Sequence, residues 1–282
     1  MTNILELPEE CIAQILSLTT PIDVLGSSAL VSKQFLSISN SNPVWAGFLP
    51  PDCDDIVSQS SGSIPRDIFG SKKDLFVYLC RFPILLENNT KSFALDKRSG
   101  KTCYMLGSRA LSIIWGSSPE YWSWESIPES RFPECAVLEN VCWLDIKGRI
   151  HTTLLSPNTT YGAYFVFNFK VYSGSTSFGR APVKVSVLAL GEDGLPIDDR
   201  HTPEVKSFYL KSPNVRSRRR SSLGERPVAR SDGLMEIEMG TYRVEVDEKG
   251  QNVVLEMSLK EIELLHWKSG LVVHGIELRP LC

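Results

Sequence analysis

The sequence has no uninterrupted apolar run of the roughly 18 residues that a membrane-spanning helix needs. Its opening, Met1-Thr2-Asn3-Ile4, lacks the basic start and apolar stretch of a secretory leader. Neither a membrane nor secretion is therefore expected, and nucleus and cytoplasm are the expected compartments. Charge of one sign is not in excess either. Against 33 Asp plus Glu stand 30 Lys plus Arg, a formal net charge of -3, so no whole-molecule field pulls the chain onto nucleic acid or an anionic bilayer. Histidine is scarce, with 4 residues, and the 7 cysteines are odd in number and scattered. The closest pair, Cys135 and Cys142, has no His between. Disulfide framework, zinc site and cofactor are accordingly not expected, and the thiols read as reduced core residues. No repeat of fixed period is present, which argues against a propeller or solenoid. P-loop, Gly-x-Ser-x-Gly and His-Glu-x-x-His patterns are missing too.

What remains is an ordinary globular composition over 282 residues, 42% apolar and 22% charged, enough for about two domains. The first fifty residues read as short helices. Pro8 suits a first helical turn and Glu9 and Glu10 suit the positive end of the helix dipole; Leu7, Cys11, Ile12, Ile15 and Leu16 recur at helical spacing. Thr20-Pro21-Ile22-Asp23 combines a capping box with proline at the first turn, and Ile22, Leu25, Ala29 and Leu30 form the next stripe. Further short segments start at Ser32 and Asn42 before Pro50-Pro51 ends the run. So small a unit buries little unaided and often completes its core against a partner.

The run Leu7-Pro8-Glu9-Glu10-Cys11-Ile12-Ala13-Gln14-Ile15-Leu16, then Pro21-Ile22-Asp23-Val24-Leu25, Val31-Ser32-Lys33-Gln34-Phe35 and Pro43-Val44-Trp45, resembles an F-box in order and spacing. Phe35 stands where many members carry Trp. The resemblance implies docking onto a Skp-type adaptor, and through it a cullin-RING ubiquitin ligase, by Leu7, Pro8, Ile12, Ile15, Leu16, Ile22, Leu25, Val31, Ser32, Phe35 and Trp45. Some of these apolar residues must also serve an internal helical core, because one helix cannot send all of them to a partner. Residues 1–50 are thus expected as the F-box. Residues 51–84 are expected as a polar surface linker and a buried connecting helix over Leu75–Cys80, capped by Ser71-Lys72-Lys73-Asp74 and ending near Pro83.

From Ser92 onward β-branched and aromatic runs replace the helical texture. Leu111–Trp115, Tyr161–Phe169, Val183–Leu188, Val253–Leu259 and Leu271–Leu278 are bounded by Gly, Pro, Ser and Asn. The fold class expected is α+β: short N-terminal helices followed by an antiparallel, jelly-roll-like β-sandwich over residues 85–282. Ser99-Gly100-Lys101-Thr102-Cys103-Tyr104, Leu111-Ser112-Ile113-Ile114-Trp115-Gly116, Tyr121-Trp122-Ser123-Trp124, Asp232-Gly233-Leu234-Met235-Glu236-Ile237-Glu238 and His266-Trp267-Lys268-Ser269-Gly270 resemble the phloem-protein-two family of plant lectins, which includes Nictaba-like domains. That resemblance implies binding of N-acetylglucosamine-containing glycans, with Trp115 and Trp122 at the positions implicated in sugar contact. Leu234 stands where many members carry Trp.

Sugars offer apolar C–H faces and a rim of hydroxyls, so exposed aromatics beside carboxylates are what a site needs. Trp115, Tyr121, Trp122 and Trp124 fit the first requirement, and Glu236 and Glu238, alternating with apolar neighbours on one strand, fit the second. The same residues could equally be core tryptophans and a solvated sheet face; Trp267 reads as core. Arg216-Ser217-Arg218-Arg219-Arg220-Ser221-Ser222, followed by Arg226 and Arg230, reads as a solvated basic loop, with an import tract or a phosphorylatable Ser221 or Ser222 as alternatives. The leading expectation is a non-enzymatic ligase receptor that selects glycan or glycoprotein cargo. A protein-binding sandwich without sugar affinity is the second, and a hydrolase using Glu236 and Glu238 the third.

Overall fold

The computed structural model describes residues 7–62, 64, 70–170, 178, 181–197, 204–210, 226–245 and 253–281, apart from the side chains of 27–30. The basic run from Arg216 to Ser222 lies outside the described residues. The chain divides into two compact units, Met1–Asn88 with Ser92–Tyr104, and Asn89–Lys91 with Met105–Leu281.

Local chemistry sets the helices of the first unit. Helix α1 (Glu9–Ser17) starts after Pro8, whose carbonyl accepts from the Cys11 and Ile12 N–H groups at 3.0 and 3.1 Å. Helix α2 (Pro21–Val31) is capped by Thr20, whose hydroxyl accepts from Asp23 N–H at 3.2 Å, and α3 (Lys33–Ser39) by Ser32, which accepts from Phe35 N–H at 3.1 Å. Helix α4 (Asn42–Ala46) brings Trp45 into the core, where its indole N–H donates to Ser39 O at 2.6 Å. The ring lies 5.6 Å from Phe48 and 5.2 Å from Phe76. The segment whose polarity suggests a surface linker contains α5 (Cys53–Ser58), because Cys53, Ile56 and Val57 fall one turn apart and bury one face. Burial, with Asp54 beside it, pushes the Cys53 thiol up to about 11. Helix α6 (Lys72–Arg81) is capped by Ser71, which accepts from Asp74 N–H at 3.2 Å. It buries a stripe of Leu75, Phe76 and Leu79 and leaves Val77, Tyr78 and Cys80 half-buried, so it is amphipathic where a helix buried all round was expected. Strands β1 (Ile84–Leu86), β2 (Lys91–Leu95) and β3 (Thr102–Gly107) follow.

The larger unit contains β4 (Ser112–Ile113), β5 (Trp122–Glu125), β6 (Cys135–Leu138), β7 (Leu144–His151), β8 (Thr159–Phe169), β9 (Val183–Leu190), β10 (Lys206–Phe208), β11 (Val228–Ala229), β12 (Met235–Val244), β13 (Val254–Glu261) and β14 (Leu271–Pro280). All its pairings are antiparallel. One sheet runs β5-β6-β14-β8-β12-β11 and the other β10-β9-β13-β7-β4. The sheets face each other across Phe165, Phe167, Ile237, Met257, Leu259 and Ile276, all buried. Contact is close enough that a Cβ on Gly148 of β7 would stand 3.0 Å from Ile276 Cδ1 of β14. Gly275, at φ 154, sits in a register shift of β14 where a Cβ would fall 2.1 Å from Leu106 O, so no side chain fits there. The fold class is thus α+β, helices followed by antiparallel sheets. The Leu111–Trp115 run is strand only at Ser112–Ile113, since Ile114 N–H bonds to Asp145 O and the chain then turns.

Candidate functional site

Two surfaces emerge, one in each unit. On and beside the helices, Ile15, Leu18, Ile22, Leu25, Val31 and Leu36 are each exposed, and Pro8 is exposed at the start of α1. Of the residues expected to meet an adaptor, Ile12, Leu16, Phe35 and Trp45 are instead buried in the unit's own core. Leu7 is half-buried and Ser32 caps α3. The division follows helical geometry: Ile12 and Leu16 point to one face of α1 and Ile15 to another. Leu18 and Leu36 were not expected in this set; Leu18 is the C-cap of α1, outside the helical stripe of either neighbouring helix.

In the larger unit the tryptophans of Tyr121-Trp122-Ser123-Trp124 lie on β5, an edge strand paired on one side with β6. Trp122 and Trp124 share a face, as a strand dictates, and both reach the loop carrying Trp115. Trp122 Nε1 donates to Ile114 O at 3.2 Å and Trp124 Nε1 to Gly116 O at 3.0 Å. Trp122 is only 1% exposed, so the expectation that it stacks on a sugar is corrected: it is core. Trp115 is 43% exposed, with Tyr121 beside it at 5.4 Å between ring centroids. Its φ of 55° places a bulky residue where glycine usually sits, which costs about 1–3 kcal/mol and is held by a turn closed from Gly116 N–H to Ile113 O at 3.0 Å. Trp124 is half-buried and its ring carries the Arg109 guanidinium at 3.6 Å, which Glu134 holds at 2.8 Å. Behind them Ser123 Oγ bonds Glu125 Oε1 at 2.9 Å and Glu139 Oε1 at 2.6 Å, and Lys170 Nζ donates to Glu125 at 2.8 Å. The hydrogen bond from Lys170 holds the Glu125 carboxyl below its usual range.

Glu236 and Glu238 are not a solvated pair. Glu238 accepts from Lys206 Nζ at 2.6 Å; Glu236 accepts from Arg230 at 2.7 Å and from Arg279. Arg230 and Arg279 also bind Glu277, at 2.7 and 3.2 Å, and Arg131 adds a third cation 3.3 Å from it. Burial alone would raise the Glu277 carboxyl, yet Arg131, Arg230 and Arg279 hold it below the usual range. Arg230, grouped by composition with a solvated run, is thus half-buried in an ion network. Trp267, expected in the core, is 57% exposed, on a loop with exposed Leu264 and Leu265. Leu234 is buried. Arg109, Glu134 and Glu277 escaped the sequence reading because their roles depend on partners distant in sequence, Trp124 for Arg109, Arg109 for Glu134 and Arg230 for Glu277.

The family signature described as phloem protein 2 matches residues 101–280, and the F-box domain signature matches 4–47. The chain belongs to the phloem protein 2 family, with an F-box ahead of the family domain. It is 43% identical to the F-box protein At2g02240 of Arabidopsis thaliana, over 97% of this chain and 79% of that protein. F-box protein PP2-B10 of the same plant is 39% identical over 97% of this chain and 92% of its own length. Among solved structures, a family 35 carbohydrate binding module from Clostridium thermocellum overlays 62% of this chain and 96% of its own at 9% identity. The TM-score of that overlay is 0.33. Of the three tryptophans at 115, 122 and 124, Trp115 is the exposed one; Trp122 is buried and Trp124 carries Arg109 on its ring.

Proposed function

We propose that this chain is a non-catalytic receptor subunit of an SCF-type ubiquitin ligase: its F-box docks a Skp-type adaptor, and its phloem protein 2 domain binds N-acetylglucosamine-containing glycans on cargo. The observation that carries the ligase half is the exposure of six large apolar side chains, Ile15, Leu18, Ile22, Leu25, Val31 and Leu36, on a segment that matches an F-box. Apolar side chains left in water cost free energy, which a partner of similar chemistry relieves by covering them. Trp115 supports the glycan half as an exposed ring with Tyr121 beside it. Both candidate catalytic carboxylates, Glu236 and Glu238, are engaged by cations, which favours the receptor over a hydrolase that would need one of them as a proton donor.

Two measurements on the full chain test the reading. Pull-down with purified adaptor should recover wild type and lose the Ile15→Asp, Leu25→Asp double variant, with both folded by circular dichroism; equal recovery sinks the docking assignment. A glycan array should show retention on chitin oligomers that Trp115→Ala removes. The exposed set Leu264, Leu265 and Trp267, with Trp143 also exposed, favours a second reading, in which the sandwich binds protein cargo without sugar affinity. A blank array with intact adaptor binding selects that one.

A further inference from the structure

Resting on the glycan-binding reading, we infer that Trp122 and Trp124 are positioning residues whose indole N–H groups clamp the Ile114–Ser118 loop. The loop they hold is the one that presents Trp115, the ring on which the glycan-binding reading already rests.

An indole offers one polar group, an N–H that can donate and cannot accept. Both of these N–H groups are spent on the loop: Trp122 on Ile114 O at 3.2 Å and Trp124 on Gly116 O at 3.0 Å. The two carbonyls flank Trp115 on either side in sequence. Two residues apart on β5, the two side chains share a face and their Cα atoms stand about 7 Å apart along the strand. That spacing lets one pair of side chains grip both ends of a three-residue turn. The rest of the loop is closed by backbone bonds, Ser118 N–H to Trp115 O at 2.9 Å and Tyr121 and Trp122 N–H to Ser118 O at 3.0 Å each.

The faces of the three rings differ in the way the assignment requires. Trp122 is buried, so a ligand reaches neither side of it. Trp124 is covered by Arg109 at 3.6 Å, and Glu134 keeps that guanidinium in place. Trp115 is exposed and buttressed by Tyr121, whose ring plane is inclined 42° to it. It is also the residue forced to a positive φ of 55°, a conformation that persists only when its surroundings over-determine it. The clamp supplies that determination. A ring held in its binding pose before the ligand arrives avoids the ordering cost that a mobile one incurs on binding.

The experiment uses the full chain and separates the clamp from the glycan. Trp124→Phe and Trp122→Phe keep an aromatic ring and delete the donor. Amide hydrogen exchange over residues 113–121 should quicken about five- to tenfold in each, the worth of one hydrogen bond, while exchange along β8 stays at the wild-type rate. Affinity for chitotriose should fall by a similar factor. Trp115→Ala should abolish chitotriose binding outright. If Trp124→Phe loses affinity with loop exchange unchanged, Trp124 is a direct contact and the proposal is overturned; unchanged exchange and unchanged affinity overturn it as well. Should wild type fail to bind chitotriose, the glycan reading falls, and loop exchange still decides whether the clamp exists. Trp124→Phe, at a half-buried site, keeps the test open if Trp122→Phe does not fold.

Discussion

Trp115 holds a conformation that its own side chain disfavours, and the physical consequence is a conflict between stability and binding. Glycine at φ 55° carries no such penalty. Trp115→Gly is therefore expected to leave the thermal midpoint unchanged or raised while removing chitotriose retention, as scanning calorimetry and an affinity column would show. A second residue stores a pH dependence. His274 is buried, its Nδ1 lies 3.6 Å from Cys135 Sγ, and its Nε2 has no protein partner among the described residues. Burial pushes its pKa down to about 4, helped by Arg230 and opposed by Asp232 and Glu129. Because the folded state binds this proton less readily than the unfolded state, the stability it protects is complete above about pH 6.5 and is lost as pH falls toward 4. By pH 5 the loss should be about 2 kcal/mol. Urea unfolding of wild type and His274→Leu at pH 7.5 and 5 checks it: the variant should show a flatter decline. Glu277, held low by its arginines, gives up its own contribution only at lower pH, which keeps the two effects apart.

At the scale of an element, the loop between β13 and β14 shows how buried charge fixes the shape of a surface. Lys268 and Glu261 form an almost fully buried ion pair, and Lys268 Nζ also donates to Cys142 O and His266 O, each at 2.7 Å. Leu264 N–H adds a bond to Glu261 Oε1 at 3.0 Å, and Val141 and Lys268 exchange backbone bonds at 2.9 and 2.7 Å. This tether holds the exposed Leu264, Leu265 and Trp267 outward. Lys268→Met leaves the buried Glu261 carboxylate without its cation, with the Leu264 N–H still donating to it, and should cost about 3–5 kcal/mol in denaturant unfolding. Adding Glu261→Leu removes the stranded charge, so the double variant should recover more than half of that loss. A double variant no better than the single one would mean that Lys268 acts through the two carbonyls and not through the carboxylate.

For the whole molecule, each proposed function sits on a unit with its own core: Trp45, Phe48 and Phe76 in one, Phe165, Phe167 and Ile276 in the other. Separate cores predict separable defects. Ile15→Asp with Leu25→Asp should lose adaptor and keep chitotriose retention; Trp115→Ala should do the reverse, measured on one preparation of each full-length variant. Loss of both activities in either variant would count against independent surfaces.

The order of types along the chain, short helices and then β strands, was determined by the sequence alone, because the hydrophobic period changes from helical to alternating and the caps Thr20 and Ser71 each carry a local signature. The two families were legible for the same reason, their motifs being short and contiguous. Local pattern did not reveal helix α5, whose buried face rests on Cys53, Ile56 and Val57 within a polar segment. Nor did it sort the tryptophans. Trp122, Trp124 and Trp267 are the same residue type in similar company, yet one is buried, one is covered by Arg109 and one is exposed. Likewise Glu236 reads as a solvated carboxylate until Arg279, on β14, is brought beside it. Which face of a residue is open, and which charge is neutralised, depends on what other strands place there; only the tertiary structure decides that, since a period records which side chains share a face and says nothing about what covers it.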